Sequence, residues 1–68
     1  KRIPDLKNKT AIILDPMVAT GGSLHDAISE IKKQKPKNIV SLNIVGVKEG
    51  LFYVSKSHSD VKIYIAQI

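Results

Sequence analysis

The 68-residue sequence contains no cysteine. A secreted domain of this size ordinarily depends on disulfides, and a zinc-stapled one on Cys or clustered His, so the core must be apolar or shared with residues outside it. Long hydrophobic runs are missing as well. Ala11 to Leu14 and Ile44 to Val47 are short and quickly interrupted, far from the roughly 20 apolar residues that cross a bilayer, and no membrane association is expected. Aromatic residues make up only 4%, no segment repeats at a fixed period, and no Gly/Ser-rich or Pro-rich linker divides the chain. One continuous unit is expected. No secretory leader is expected; the sequence opens on Lys1 rather than Met and ends on Ile65 to Ile68, which still reads as a strand. Residues 1–68 are therefore expected to be one part of a larger domain.

What is present has ordinary globular composition: 43% hydrophobic and 25% charged residues argue against disorder. The net charge of +5, from 11 Lys and Arg against 6 Asp and Glu, invites a nucleic-acid reading. The distribution argues against it. Lys1, Arg2, Lys7 and Lys9 form one basic group and Lys32, Lys33, Lys35 and Lys37 another, neither interleaved with aromatics that could stack on bases. Both read as solvated surface, and no nucleic-acid partner is expected; a phosphorylated small molecule would exploit the same field.

Hydrophobic periodicity divides the chain into five elements. Thr10 to Leu14 is a continuous apolar run of strand length, and continuity rather than alternation predicts a strand covered on both faces. From Ser23 onward Leu24, Ala27, Ile28 and Ile31 fall at i, i+3, i+4 and i+7, an amphipathic helix. Ser23 with Asp26 fits a capping box at its start. Lysines crowd its far end, where they suit the dipole, and Pro36 stops it. Ile39 to Val45 is a second strand, Glu49 to Lys56 a short helix, and Val61, Ile63 and Ile65 alternate with Lys62 and Tyr64 in a third strand nearer a sheet edge. Strand, helix, strand, helix, strand implies a parallel α/β sheet, the repeating unit of doubly wound, Rossmann-like folds.

The segment Asp15-Pro16-Met17-Val18-Ala19-Thr20-Gly21-Gly22-Ser23 joins the first strand to the first helix. In an open α/β sheet, ligands bind at the carboxyl ends of the strands, where this loop lies. Gly21 and Gly22 permit positive φ and close backbone approach, successive N–H groups form an anion nest, and Thr20 and Ser23 add hydroxyls. The dipole of the following helix contributes about 0.3–1 kcal/mol toward an anion such as phosphate. Asp15, several residues earlier, would accept hydrogen bonds from sugar hydroxyls, so one ligand with a phosphate and a ribose would satisfy both ends. The loop has neither the Gly-Lys-Ser/Thr of a P-loop nor Gly-x-Gly-x-x-Gly. As a pattern alone, a plain Gly-rich turn is the alternative.

The string Ile12 to Ser23 resembles the phosphoribosyl-diphosphate (PRPP) signature of the type I phosphoribosyltransferases. Its Asp15-Pro16-Met17, where most relatives carry paired acids, is similar to the uracil phosphoribosyltransferases. The resemblance continues through Lys37-Asn38-Ile39, Glu49-Gly50 and His58 to Tyr64. It implies a β-α-β-α-β portion of that family's fold, in a cytoplasmic enzyme of pyrimidine salvage that is a homo-oligomer. The implied reaction joins uracil to the ribose carbon of PRPP, giving UMP and diphosphate, with Mg2+ carried on the diphosphate and no metal ligand in this chain. Asp15 would act catalytically by holding the ribose hydroxyls, Ala19 to Ser23 would bind the 5-phosphate, and Pro16, Met17 and Val18 would shape the loop. Catalysis would be positioning and electrostatic stabilisation of a cationic sugar, without a nucleophilic side chain. Val47-Lys48 stands where the family has Ala-Pro, and Ser59 where it has proline. The family's basic diphosphate residues lie upstream of this segment and its uracil-reading loop downstream, so residues 1–68 are not expected to turn over alone.

Other residues receive plainer readings. His25 and His58 lack metal-ligand spacing and read as surface or turn positions. Glu49 reads as favouring the start of the second helix. Phe52, Tyr53 and Tyr64 read as core or sheet-face residues, and Asp60 as fixing the turn before the third strand. Two functions of other classes fit some of these features. One is a non-catalytic PRPP- or nucleotide-binding regulatory module or degenerate paralogue. The other is a phospho-acceptor domain using Asp15, in which the Thr-Gly-Gly-Ser loop would have no use.

Overall fold

A computed structural model describes residues 5–67; Lys1, Arg2 and Ile68 lie outside them. The chain runs β1 (Thr10–Val18), α1 (Gly22–Lys32), β2 (Asn38–Gly46), α2 (Lys48–Ser57) and β3 (Lys62–Gln67). The three strands form one parallel sheet in the order β1-β2-β3. The expected β-α-β-α-β unit is present, with β2 central and β3 at an edge.

β1 is longer than its apolar run predicts. It continues through Asp15 and Pro16 to Val18, pairing Asp15 with Asn43 and Met17 with Val45 while skipping Pro16. Proline supplies no N–H, which a position outside the ladder on the sheet's edge strand tolerates. The loop expected from Asp15 onward therefore shrinks to Ala19–Gly21, and Asp15 stands within the strand rather than at its end.

The apolar stripe of α1 packs as its period requires. Leu24 and Ile28 are buried with Ala11, Val18, Ile39, Val54 and Val61, and Ile13, Ile31, Leu51 and Ile63 pack against them. α1 and α2 touch each other and share this core. Two successive crossovers in one direction across a parallel sheet place both helices on the same side. The expectation of strands covered on both faces is thus corrected among the described residues. Ile12, Leu14, Leu42, Ile44 and Tyr64 form the opposite face and are 41–76% exposed. Continuous hydrophobicity records that both faces are apolar, not that both are covered by the same segment.

Two polar residues on the covered side of β2 satisfy one another. Ser41 and Asn43 are buried; the Asn43 Nδ2 donates to Ser41 Oγ at 2.9 Å and to the Tyr64 carbonyl at 3.3 Å. Hydrogen bonding removes most of the cost of burying them.

The aromatic residues are corrected in part. Phe52 and Tyr53, on α2, are exposed rather than in the core, with Lys56 Nζ 5.6 Å from the Phe52 ring centroid. Tyr64 does lie on the sheet, on its uncovered face. Glu49 sits in the first turn of α2, as the dipole favours. Asp60 does more than shape a turn. Its carboxylate meets Lys32 Nζ at 2.8 Å and ties the end of α1 to the approach to β3.

The two histidines, 33 residues apart, meet between the helices. His58 Nε2 and His25 Nδ1 are 2.9 Å apart, their rings are 4.7 Å apart, and His25 also lies 5.2 Å from the Tyr53 ring. His58 is buried, and among the described residues its Nδ1 has no hydrogen-bond partner. Neither histidine could be paired from sequence, because the contact forms only when α1 and α2 lie side by side. Burial foremost, then the charge of Lys32 and the nearby His25, lower the His58 pKa below its ordinary value, against the opposing pull of Asp60. The folded chain therefore binds this proton less readily than the unfolded chain. Stability is expected to fall as pH drops below about 6.5 and to level off beneath the lowered folded-state value. Thermal melting of the intact protein between pH 8 and 5 checks this: His58→Asn should flatten the profile, and an unchanged slope would remove His58 as its source.

Candidate functional site

The site is built where β1 hands over to α1. Gly21 occupies the N-cap of α1 at φ +88°, a left-handed conformation that side chains with a Cβ rarely adopt. This turn starts the helix at Gly22, one residue earlier than expected. The Ser23–Asp26 capping box consequently does not form: Ser23 is already helical, and no side chain caps at Gly21. Instead the Thr20 Oγ1 accepts the Gly22 N–H at 3.2 Å, and the first helical bond runs from the His25 N–H to the Gly21 carbonyl at 2.8 Å. Gly22 itself needs no positive φ; of the two glycines only Gly21 uses that freedom.

A small cavity of about 120 Å³ opens beside this turn, lined by Asp15, Met17, Val18, Ala19, Thr20, Gly21, Ser23 and Leu24. Seven of the nine expected site residues thus share one cavity. Pro16 lines a neighbouring apolar depression with Leu14, Leu42 and Ile44, and Gly22 contributes through its bond to Thr20. The Met17 N–H donates to Asp15 Oδ1 at 3.2 Å, anchoring one oxygen of that carboxylate to its own strand. No acidic residue lies in the first turn of α1, so no carboxylate of that turn opposes an anion at the helix N-terminus. Backbone donors, two hydroxyls and a carboxylate one cavity apart are chemically suited to a ligand with an anionic end and a hydroxylated end.

Sequence reasoning missed what stands behind the turn. A Cβ on Gly21 would lie 2.6 Å from the Gly50 carbonyl oxygen, 2.9 Å from Val54 Cγ2 and 3.1 Å from Tyr53 Cδ2. A Cβ on Gly50 would collide with the Ala19 carbonyl. The only available signal was Glu49-Gly50, which is a short motif with no chemistry of its own.

A parallel α/β sheet with a glycine turn opening the helix after β1 is an architecture suited to a phosphorylated ligand at the strand ends. The comparisons narrow this class. The family model for uracil phosphoribosyltransferase matches residues 1–68. Uracil phosphoribosyltransferases from Mycoplasma mobile and Ureaplasma urealyticum serovar 10 are 47% and 49% identical over 66 and 69 residues. These alignments cover 96% and 100% of this chain but 32% and 33% of the relatives. The solved structure of the AQ2163 protein from Aquifex aeolicus superposes with a TM-score of 0.94 at 39% identity, covering 97% of this chain and 32% of that one. The chain belongs to the uracil phosphoribosyltransferase family, and it spans about a third of the length of the relatives it matches.

Because Gly21 combines a left-handed backbone with close atoms from α2, Gly21→Val in the intact protein should cost at least about 2 kcal/mol of stability. Denaturant unfolding measures the loss. A change within a few tenths of a kcal/mol would contradict the close packing of this turn.

Proposed function

We propose that the intact protein transfers the phosphoribosyl group of PRPP to uracil, and that residues 1–68, as part of one larger domain, supply the half of the site that holds the sugar phosphate. The observation that carries this reading is the Gly21 turn opening α1, with Asp15 across one small cavity from it. The 5-phosphate sits against the backbone of Ala19 to Ser23, where N–H groups, the Thr20 and Ser23 hydroxyls and the α1 dipole all favour negative charge. Asp15 accepts hydrogen bonds from the ribose hydroxyls, and Pro16, Met17 and Val18 keep the two ends at the right separation.

In the reaction a uracil nitrogen, giving up its proton to solvent, attacks the anomeric carbon of PRPP as the bond to diphosphate breaks, giving UMP and free diphosphate. The ring gains positive charge as the diphosphate leaves, and a carboxylate held beside the ribose stabilises that charge while a fixed phosphate prevents the sugar from drifting. The single carboxylate of this cavity is too few to hold a divalent ion alone; Mg2+ carried with PRPP would offset negative charge on the diphosphate. The uncovered apolar face of the sheet supports a larger domain around this unit. No helix among the described residues is long and apolar enough to cross a membrane. We place the intact enzyme in the cytoplasm as a homo-oligomer, by its resemblance to the family.

UMP formation from PRPP, Mg2+ and uracil, run beside hypoxanthine and orotate, tests the reading. Turnover with uracil alone is expected. PRPP binding without turnover on any base would favour the regulatory reading instead. In the same protein Asp15→Asn should weaken PRPP binding about tenfold by calorimetry, the scale of one charge-assisted hydrogen bond. Unchanged affinity would take Asp15 out of the site.

A further inference from the structure

The contact between the Gly21 turn and α2 is reciprocal and made by backbone. The Gly21 Cα faces the Gly50 carbonyl, and the Gly50 Cα faces the Ala19 carbonyl and the Gly21 nitrogen. Tyr53 and Val54, three and four residues beyond Gly50 on the same face of α2, complete the wall behind the turn. Only one residue, Val47, separates β2 from α2. Its N–H donates to the Val18 carbonyl at 2.8 Å, and its own carbonyl accepts the Leu51 N–H at 3.0 Å. The first turn of α2 is thereby pinned to the end of β1 where the loop begins.

We infer that Gly50 is a positioning residue for the phosphate-binding turn, with Tyr53 as its second support: α2 is the backstop that fixes how far Ala19 to Gly21 can retreat from the ligand. The inference rests on the reading of that turn as the phosphoribosyl cradle, and it assigns a role to the Glu49-Gly50 motif that lies outside the cavity itself. Any side chain at Gly50 meets the peptide backbone of Ala19 and Gly21, so the loop must advance toward the ligand or α2 must tilt away. A phosphate held by several N–H groups at once is sensitive to displacements of a fraction of an ångström, because all its bonds lengthen together. Tyr53 acts more weakly, because its ring is partly exposed and only its edge reaches Gly21.

The test compares wild-type intact protein with Gly50→Ala and Tyr53→Ala, using PRPP calorimetry in Mg2+ well below the melting temperature of each. Amide hydrogen exchange at Ala19 to Ser23 is followed without ligand. Gly50→Ala should weaken PRPP binding roughly tenfold or more, and Tyr53→Ala should weaken it a few-fold and accelerate exchange in the loop. A purely structural role would lower the melting temperature of both variants and leave PRPP affinity and loop exchange unchanged, which would overturn the inference. If Gly50→Ala fails to fold, Tyr53→Ala decides by the same two readouts. If wild-type protein does not bind PRPP, the proposed function fails on its own. Loop exchange in Tyr53→Ala then still tells whether α2 holds the turn, and unchanged exchange would end the inference.

Discussion

Everything else in this unit depends on one backbone conformation, the left-handed turn at Gly21. It redirects the chain from β1 into α1 within three residues, so the helix begins beside the strand end, at the cavity that Asp15 shares with the turn. A residue with a Cβ would resist the turn both through its own φ and through the atoms of α2 behind it. The chemical site and the packing of the two helices are therefore one structural problem.

Three long-range contacts brace that arrangement against the rest of the unit: Gly50 against the turn, His25 against His58 one turn further along α1, and Lys32 against Asp60 at the end of that helix. They differ in physical kind. The first is steric and insensitive to solution conditions, the second weakens on protonation, and the third is an exposed ion pair that contributes little by itself. The contact nearest the site is the one that depends only on shape.

Much of the fold was legible because local signals agreed with one another. The 3.6-residue stripe of Leu24, Ala27, Ile28 and Ile31, the dense apolar runs of β1 and β2, and the alternation before Gln67 each pointed to the element that forms. The errors cluster at boundaries and at partners. Pro16 looked like the end of β1, yet an edge position spared it; Ser23 looked like a cap, yet Gly21 started the helix earlier. His25 and His58 looked solitary because sequence distance hides a contact across two helices.

By itself the sequence determined the order of elements, the parallel class of sheet and the glycine turn, since periodicity and the conformational freedom of glycine are local properties. It also carried the family's signature at Asp15 to Ser23. Only the tertiary structure decided that both helices share one side of the sheet and leave Leu14 and Ile44 bare. The same is true of the approach of Gly50 to the loop and of the pairing of the two histidines. Those outcomes depend on where separate elements come to rest against each other, which is a matter of packing between residues remote in the chain.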